Sequence, residues 1–462
     1  MALIFLTLEV LDLNELYRKW REMAITAAAF MLSCSVIIHW FPATYPDFHH
    51  VRGMRLKRVA VLVFSLVFVL LLVYCGGGSS TAQASGVQHR ALVSNTYSGD
   101  LQVMNTQNDT TNYTAQTTNS AGQVVPGSPV TISVGVSVTW EVLNASRATT
   151  MVYDQNVVAV YFLTNSNETV AGSVLLAGPA SMGVFSGDGT SAYVPVSTAP
   201  ITGSRAGGVQ VVSIANLNIS ATYPVPSASY VVLSPNGQIL LVFAKNSDSV
   251  FLINLQATTI TPVEIPGFSR PATAFFSSDN NTAYVLNCGW ECGDPAPGQA
   301  SVAQLDIPSM TIKATVPVGG ASVGLLNGTT LYVAGTSHTA GPTFDSVNVS
   351  TMMRNTANSV AITDGLHTTM ALSTNNKLYI GAITCSNTTA GCLSVVDVTN
   401  NTADPPLPPR GAVTGMLAIA NRNVVYVIEG GYQVIYDTTT DMPQSTQVIF
   451  HGALYDIVQV DQ

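Results

Sequence analysis

In residues 229–266, SYVVLSPNGQILLVFAKNSDSVFLINLQATTITPVEIP, short apolar runs alternate with polar gaps. β-Branched and aromatic side chains fill the runs, and Pro, Asn, Gly and Ser fill the gaps. The pattern predicts four short strands at 230–233, 239–243, 250–253 and 259–264, with Ser234-Pro235-Asn236-Gly237 as the first turn. A lone four-stranded sheet cannot cover both of its faces, so it needs copies of itself to stack on.

The chain supplies those copies. The first strand recurs at Val138, Met182, Tyr230, Ala272, Val323, Thr368, Gly415 and Ala453, at intervals of 38 to 51 residues. Second strands align as Ala192-Tyr193-Val194, Leu240-Leu241-Val242, Ala283-Tyr284-Val285, Leu331-Tyr332-Val333, Leu378-Tyr379-Ile380 and Val425-Tyr426-Val427. The turns before them match in type, Gly187-Asp188-Gly189, Pro235-Asn236-Gly237, Asp279-Asn280-Asn281, Asn327-Gly328, Asn375-Asn376 and Asn421-Arg422-Asn423, residue types that tolerate the positive φ of tight hairpins. Four strands per period of roughly 40–50 residues predict an all-β fold, a β-propeller. The body opens on a second strand (89–95) and a third (99–104) with no first strand before them. It ends on a first strand (453–458) with nothing after it. Joining the two fragments completes one blade, closes the ring and removes both exposed edges. The count is then eight blades; seven is the alternative, because residues 110–137 are irregular.

The segments SPNG-x-ILLVF and TAYV…SVAQLDIPSMTIKATVPVGG resemble the YVTN-type repeats of bacterial exported β-propellers, over about residues 87–462. That resemblance implies a stacked-blade domain outside the cytoplasm and no particular activity.

The N-terminus has a different texture. Residues 59–73, VAVLVFSLVFVLLLV, are an unbroken apolar run preceded by Arg52, Arg55, Lys57 and Arg58 and followed by Cys75-Gly-Gly-Gly-Ser-Ser. Basic residues, a short apolar run and then a Cys resemble a bacterial lipoprotein signal. The resemblance implies lipidation at Cys75, with acyl chains holding the protein at about 0.8 kcal/mol per buried CH₂. Tyr74 stands where such signals carry a small residue, which keeps an uncleaved signal anchor and simple secretion as the alternatives. The expected organisation is 1–53 as an upstream over-call or an extra membrane segment, 54–75 as signal peptide, 76–88 as a flexible Gly/Ser tether, and 89–462 as propeller.

Composition narrows the function classes. Only 9% of residues are charged, against about 25% in average chains. The formal net charge is −9 and no basic patch follows Arg58, so a nucleic-acid partner is not expected. Of six cysteines, four form two close pairs, Cys288/Cys292 and Cys385/Cys392. Each pair predicts a disulfide stapling its own loop in an oxidising compartment. The spacing lacks the Cys-x2-Cys form of zinc sites. His89, His338, His367 and His451 are scattered, so neither a metal nor another cofactor is expected. There is no Cys-x2-Cys-His haem motif and no Gly-x-Ser-x-Gly elbow.

Antiparallel strands alternate direction, so loops between second and third strands share one face with loops between blades. The longest of the first kind are 197–208, 287–300, 335–346 and 382–391. Arg270, Asp364, His367 and Arg410 enter blades at similar template positions and are the candidate lining of a channel mouth that binds an anionic group. The leading expectation is a non-catalytic envelope lipoprotein offering this face to a protein or small ligand, held to the membrane by lipid or signal anchor. A lactonase-like hydrolase at the channel mouth, by fold analogy, and a structural surface-layer component are the alternatives.

Overall fold

The computed structural model of the protein describes residues 85–111, 117–118, 124–125, 130–294, 298–356, 358–363, 365–385, 391–408, 410–444 and 453–461. Cys75, the segments before residue 85, Asp364 and His451 lie outside the described residues.

Residues 228–266 form the expected antiparallel sheet in strand order 1-2-3-4: Ala228–Leu233, Ile239–Ala244, Ser249–Asn254 and Val263–Pro266. The fourth strand starts four residues later than the sequence pattern suggests. Pro262 has no N–H to give to a ladder, and pairing begins with Leu252 opposite Val263. This sheet is blade 4 of eight. The first strands of blades 2 to 8 are Val138–Leu143, Val184–Phe185, Ala228–Leu233, Pro271–Phe276, Val323–Asn327, His367–Leu372 and Val413–Ala418.

Blade 1 is built from both ends of the chain. The C-terminal strand Leu454–Gln459 lies antiparallel to Arg90–Asn95, with Ala91 opposite Gln459, Leu92 opposite Val458 and Val93 opposite Ile457. Asp100–Asn105 and Thr131–Ser133 complete it. The irregular stretch that left the count open is an insertion between these last two strands, carrying a small ribbon of Thr117–Thr118 and Val124–Val125. It takes no blade out of the ring, and the count is eight.

The cores show why the ring holds. Second and third strands are buried on both faces, whereas fourth strands alternate between exposed and covered positions. Among the described residues there are eight apolar clusters, and each is shared by two successive blades. One of them joins blade 8 to blade 1 through Tyr426, Ile428, Ile435, Ala91, Val93, Leu454 and Ile457. Polar clasps tie blade 1 together and to both of its neighbours. The guanidinium of Arg90 binds both oxygens of Asp461 at 2.8 and 3.0 Å and the Glu168 carboxylate of blade 2 at 3.0 Å. Arg422 of blade 8 grips Asp109 at 2.6 and 2.8 Å.

Each of the six expected turns has one residue at positive φ: Gly189, Gly237, Asn280, Gly328, Asn376 and Asn421, all between +58° and +71°. In four of these turns a serine hydroxyl donates to the Asp or Asn two residues on: Ser186 to Asp188, Ser234 to Asn236, Ser277 to Asp279 and Ser373 to Asn375.

Blade 6 departs from the template in a way that matters below. Residues 335–346, expected as a long loop, extend the hairpin instead: Thr330–Ser337 pairs with Gly341–Asn348 up to Ser337 opposite Gly341. Gly341 turns the chain at φ +76°, and the Ser337 hydroxyl accepts the N–H groups of Thr339 and Ala340. The outer strand is split into Met353–Arg354 and Val360–Ala361, both paired to the third strand.

Candidate functional site

From blade 3 round to blade 2 the first strands of successive blades touch one another, so their side chains wall the central channel. A cavity of ≈ 840 Å³ occupies it over blades 3 to 7 and is lined by Met182, Tyr230, Val232, Phe275, Val323 and Met370 among others. Its wall is mainly apolar, with Ser181, Thr273, Ser322, His367, Thr368 and Thr369 as polar points.

The residues proposed for the channel mouth fall in three separate blades. His367 opens the first strand of blade 7, is buried, lines this cavity, and sets Nε2 3.0 Å from the Thr363 carbonyl. Arg270 precedes the first strand of blade 5. Its guanidinium lies 3.6 Å from Asp248, whose carboxylate also accepts the Arg270 N–H at 3.1 Å. Arg410 precedes the first strand of blade 8 and lies 3.6 Å from Glu429. Burial pushes the Glu429 carboxyl up to about 7, against the pull of the Tyr436 hydroxyl and of Arg410. Each arginine thus has a carboxylate of its own.

The loop face over blades 5 to 7 carries the more developed geometry. Cys288 and Cys292 are joined with Cα atoms 5.6 Å apart, and Cys385 and Cys392 are paired with Cα atoms 5.8 Å apart. The first pair sits in the loop between second and third strands of blade 5, and the second joins Cys385, after the second strand of blade 7, to Cys392, which opens the third. The first encloses a single 3₁₀ turn, Gly289–Cys292. Gly289 must be a glycine: it has φ +63°, and a Cβ there would lie 2.4 Å from the Gly298 carbonyl oxygen. Trp290 rides on this turn, 43% exposed. The extended hairpin of blade 6 lifts His338 against it, with ring centroids 5.0 Å apart and planes at 70°.

Trp290 divides two cavities. One, of ≈ 430 Å³, lies between blades 5 and 6 and is lined by Gln299, Thr336, Ser337, His338, Arg354 and Ser359 among others. The other, of ≈ 490 Å³, runs toward blade 7 past Glu291, Gly365, Leu366, Thr384 and Cys385. Leu366 is also 43% exposed. The floor is tied down by Asp345, whose side chain is fully buried. It accepts from Arg354 at 2.5 Å, from the Ser359 hydroxyl at 3.0 Å and from the Gly319 N–H at 2.7 Å. Glu291 accepts the Thr336 N–H at 2.8 Å, which bridges blade 5 to blade 6.

Sequence reasoning identified the stapled loops but not this pair of cavities. Trp290, inside the Cys288–Cys292 interval, was the available signal. His338 was not readable, because its position depends on the extra hairpin pairing. A second unread feature is a pair of carboxyls on adjacent first strands, Glu141 of blade 2 and Asp456 of blade 1. The Glu141 N–H donates to Asp456 at 3.1 Å.

The staple has a measurable consequence. Closing so short a loop contributes about 2 kcal/mol. In a Cys288→Ser/Cys292→Ser variant, amide exchange of residues 289–294 should quicken by about 30-fold, while the blade 5 strands keep their protection. Unchanged exchange would show that the loop is ordered by its packing alone.

No family model matches the chain, and no curated protein matches it in sequence. Similar solved structures include dihydro-heme d1 dehydrogenase NirN in complex with DHE, at 12% identity and TM-score 0.58, over 82% of this chain and 77% of that one. A functionally unknown protein from Desulfotomaculum acetoxidans is similar at 17% identity and TM-score 0.48, over 70% and 98%. Hydrazine synthase from Kuenenia stuttgartiensis is similar at 13% and 0.46, over 68% and 95%. At these identities the likeness is one of fold.

Proposed function

We propose that this protein is an exported binding module of the YVTN-repeat type, held at a bacterial envelope membrane through lipid on Cys75. It presents the loop face of blades 5 to 7 to an envelope protein or a small ligand. The observation that carries this reading is the pair of stapled loops flanking two cavities, with Trp290 and Leu366 exposed between them. Rigid scaffolds that present loops are a recurrent way to build binding sites. Rigid aromatic anchors beside pockets carry a large share of binding energy. The disulfides support an oxidising compartment. The mainly apolar wall of the central cavity favours binding over hydrolysis.

The reading is tested in cells with a photo-crosslinking residue at position 366, and at Met442 as a control exposed on an outer strand. A discrete adduct from position 366 and none from 442 is expected. In the same cells Cys75→Ser should move the protein out of the membrane fraction. Equal labelling at both positions would remove the face assignment, and unchanged fractionation would remove the lipid anchor.

A further inference from the structure

We infer that the cavity between blades 5 and 6 binds a neutral polyhydroxylated ligand, a segment of a sugar chain, stacked on Trp290. The inference rests on the binding-face reading above and names the ligand class for it.

The argument begins with charge. The cavity holds one guanidinium, and Arg354 is already committed to the buried carboxylate of Asp345 at 2.5 Å and to the Ser359 hydroxyl at 3.1 Å. An anion would have to compete with that pair, and a cation would meet the guanidinium. The site therefore favours a ligand without net charge. Among the described residues no carboxylate is in the lining, and apart from the His338 imidazole the remaining polar side chains are of the neutral kind: the exposed amide of Gln299 and the hydroxyls of Thr336, Ser337, Thr339 and Ser359. Hydroxyls rotate to donate or accept, and an amide does both at once. Such a set matches a ligand whose periphery is hydroxyl groups of mixed donor and acceptor character.

Shape then selects among neutral ligands. Trp290 offers a flat apolar surface, and His338 meets it at 70° to form a corner. The C–H face of a pyranose ring is likewise flat and apolar, while its edge is hydroxylated. One face stacks on the indole as the edge reaches the polar wall, so both surfaces of the sugar are satisfied. The volume of ≈ 430 Å³ lies within the roughly 300–1,000 Å³ of small-molecule sites. The second cavity, ≈ 490 Å³ and continuous with Trp290 on its other side, gives a chain room to pass over the indole rather than end there. The disulfide and the 3₁₀ turn hold Trp290 in place before binding, so little conformational freedom is lost on contact.

The test uses the full-length protein and four soluble tetrasaccharides, cellotetraose, chitotetraose, maltotetraose and mannotetraose, in calorimetric titrations at millimolar concentration. Tryptophan emission is followed in parallel, and a Trp290→Phe variant identifies the contribution of this residue. At least one oligosaccharide should bind and perturb Trp290. Trp290→Ala should weaken it by about tenfold or more, equivalent to about 1.4 kcal/mol, and Gln299→Ala by a few-fold. Both side chains lie at the surface, so both variants should keep the wild-type melting temperature. Binding of an oligosaccharide that is indifferent to Trp290→Ala overturns the inference, as does a panel that leaves Trp290 unperturbed. If the panel is silent but the position-366 adduct forms and is lost in Trp290→Ala, the binding face stands and the sugar assignment falls. If neither signal appears, both fall together.

Discussion

A chain stopped at residue 452 is expected to lose its cooperative unfolding transition at 25 °C. The ten residues removed include the first strand of blade 1. Leu454, Ile457 and Val460 are each 3–4% exposed. At about 1.5–3 kcal/mol for each fully buried aliphatic side chain, their loss costs about 5–9 kcal/mol, of the same order as the whole net stability of about 5–15 kcal/mol of a folded domain. The hydrogen-bonding edge of Arg90–Asn95 is bared at the same time, and two of the eight clusters lose their closing members. Arg90 loses Asp461, leaving the buried Glu168 with a weakened partner network. Urea unfolding followed by near-ultraviolet circular dichroism should show a broad, shallow curve in place of a single transition. Adding a peptide of residues 453–462 should restore the transition in a concentration-dependent way, because it binds only the folded form. A truncated chain that melts with the wild-type midpoint would mean that the ring is closed elsewhere.

Much of this fold is legible in the sequence because its repeats are redundant. No single strand is distinctive, but Tyr193, Tyr284, Tyr332, Tyr379 and Tyr426 recur at one template position, and Asn280, Asn376 and Asn421 recur at one turn position. Backbone sterics and double-sided burial impose the same residue types at each copy. The split blade could be read for the same reason, since each fragment keeps its template position. What could not be read are the departures from the repeat. The blade 6 hairpin runs on through Ser337 because Gly341 makes the turn, and the same residues also fit a loop. The start of the fourth strand of blade 4 depended on one missing N–H at Pro262. Trp290 and His338 meet only through that hairpin extension. Arg270 and Arg410 looked alike as loop cations, yet each answers to its local carboxylate, Asp248 or Glu429. A site made by neighbouring loops is a property of blade order, and a residue's template position says little about its opposite number.

Glu141→Gln is expected to stabilise the protein at pH 8 and to lose that advantage as the pH is lowered toward 5. Glu141 is 5% exposed, and neither of its carboxyl oxygens has a hydrogen-bond partner among the described residues. The backbone N–H of Ser94 offsets a little of this without reaching good hydrogen-bond geometry. Burial, and then the charge of Asp456, hold the Glu141 carboxyl well above the usual range. Asp456 is itself pushed up to about 7 by burial, although it accepts N–H groups from Glu141 and Ile457. Gly415 makes the crowding possible, since a Cβ there would lie 2.9 Å from the Asp456 Cα. In the unfolded chain both acids release their protons near pH 4, whereas the folded protein keeps them to higher pH. Between those limits the folded form binds more protons, so stability falls as pH rises, by about 1.4 kcal/mol per pH unit for each proton retained. The amide of the variant cannot ionise, so it carries none of this pH-dependent cost. Thermal melts from pH 5 to 8 should therefore slope downward in the wild type and less so in Glu141→Gln. Adding Asp456→Asn should flatten them further, with the change in slope ending near pH 7. Because the two groups sit where the C-terminal strand meets blade 2, the same titration should raise the exchange rate of amides 454–459 ahead of those in blades 3 to 7. Parallel wild-type and variant profiles would show that the two carboxyls ionise freely, and that water reaches a seam the packing here describes as closed.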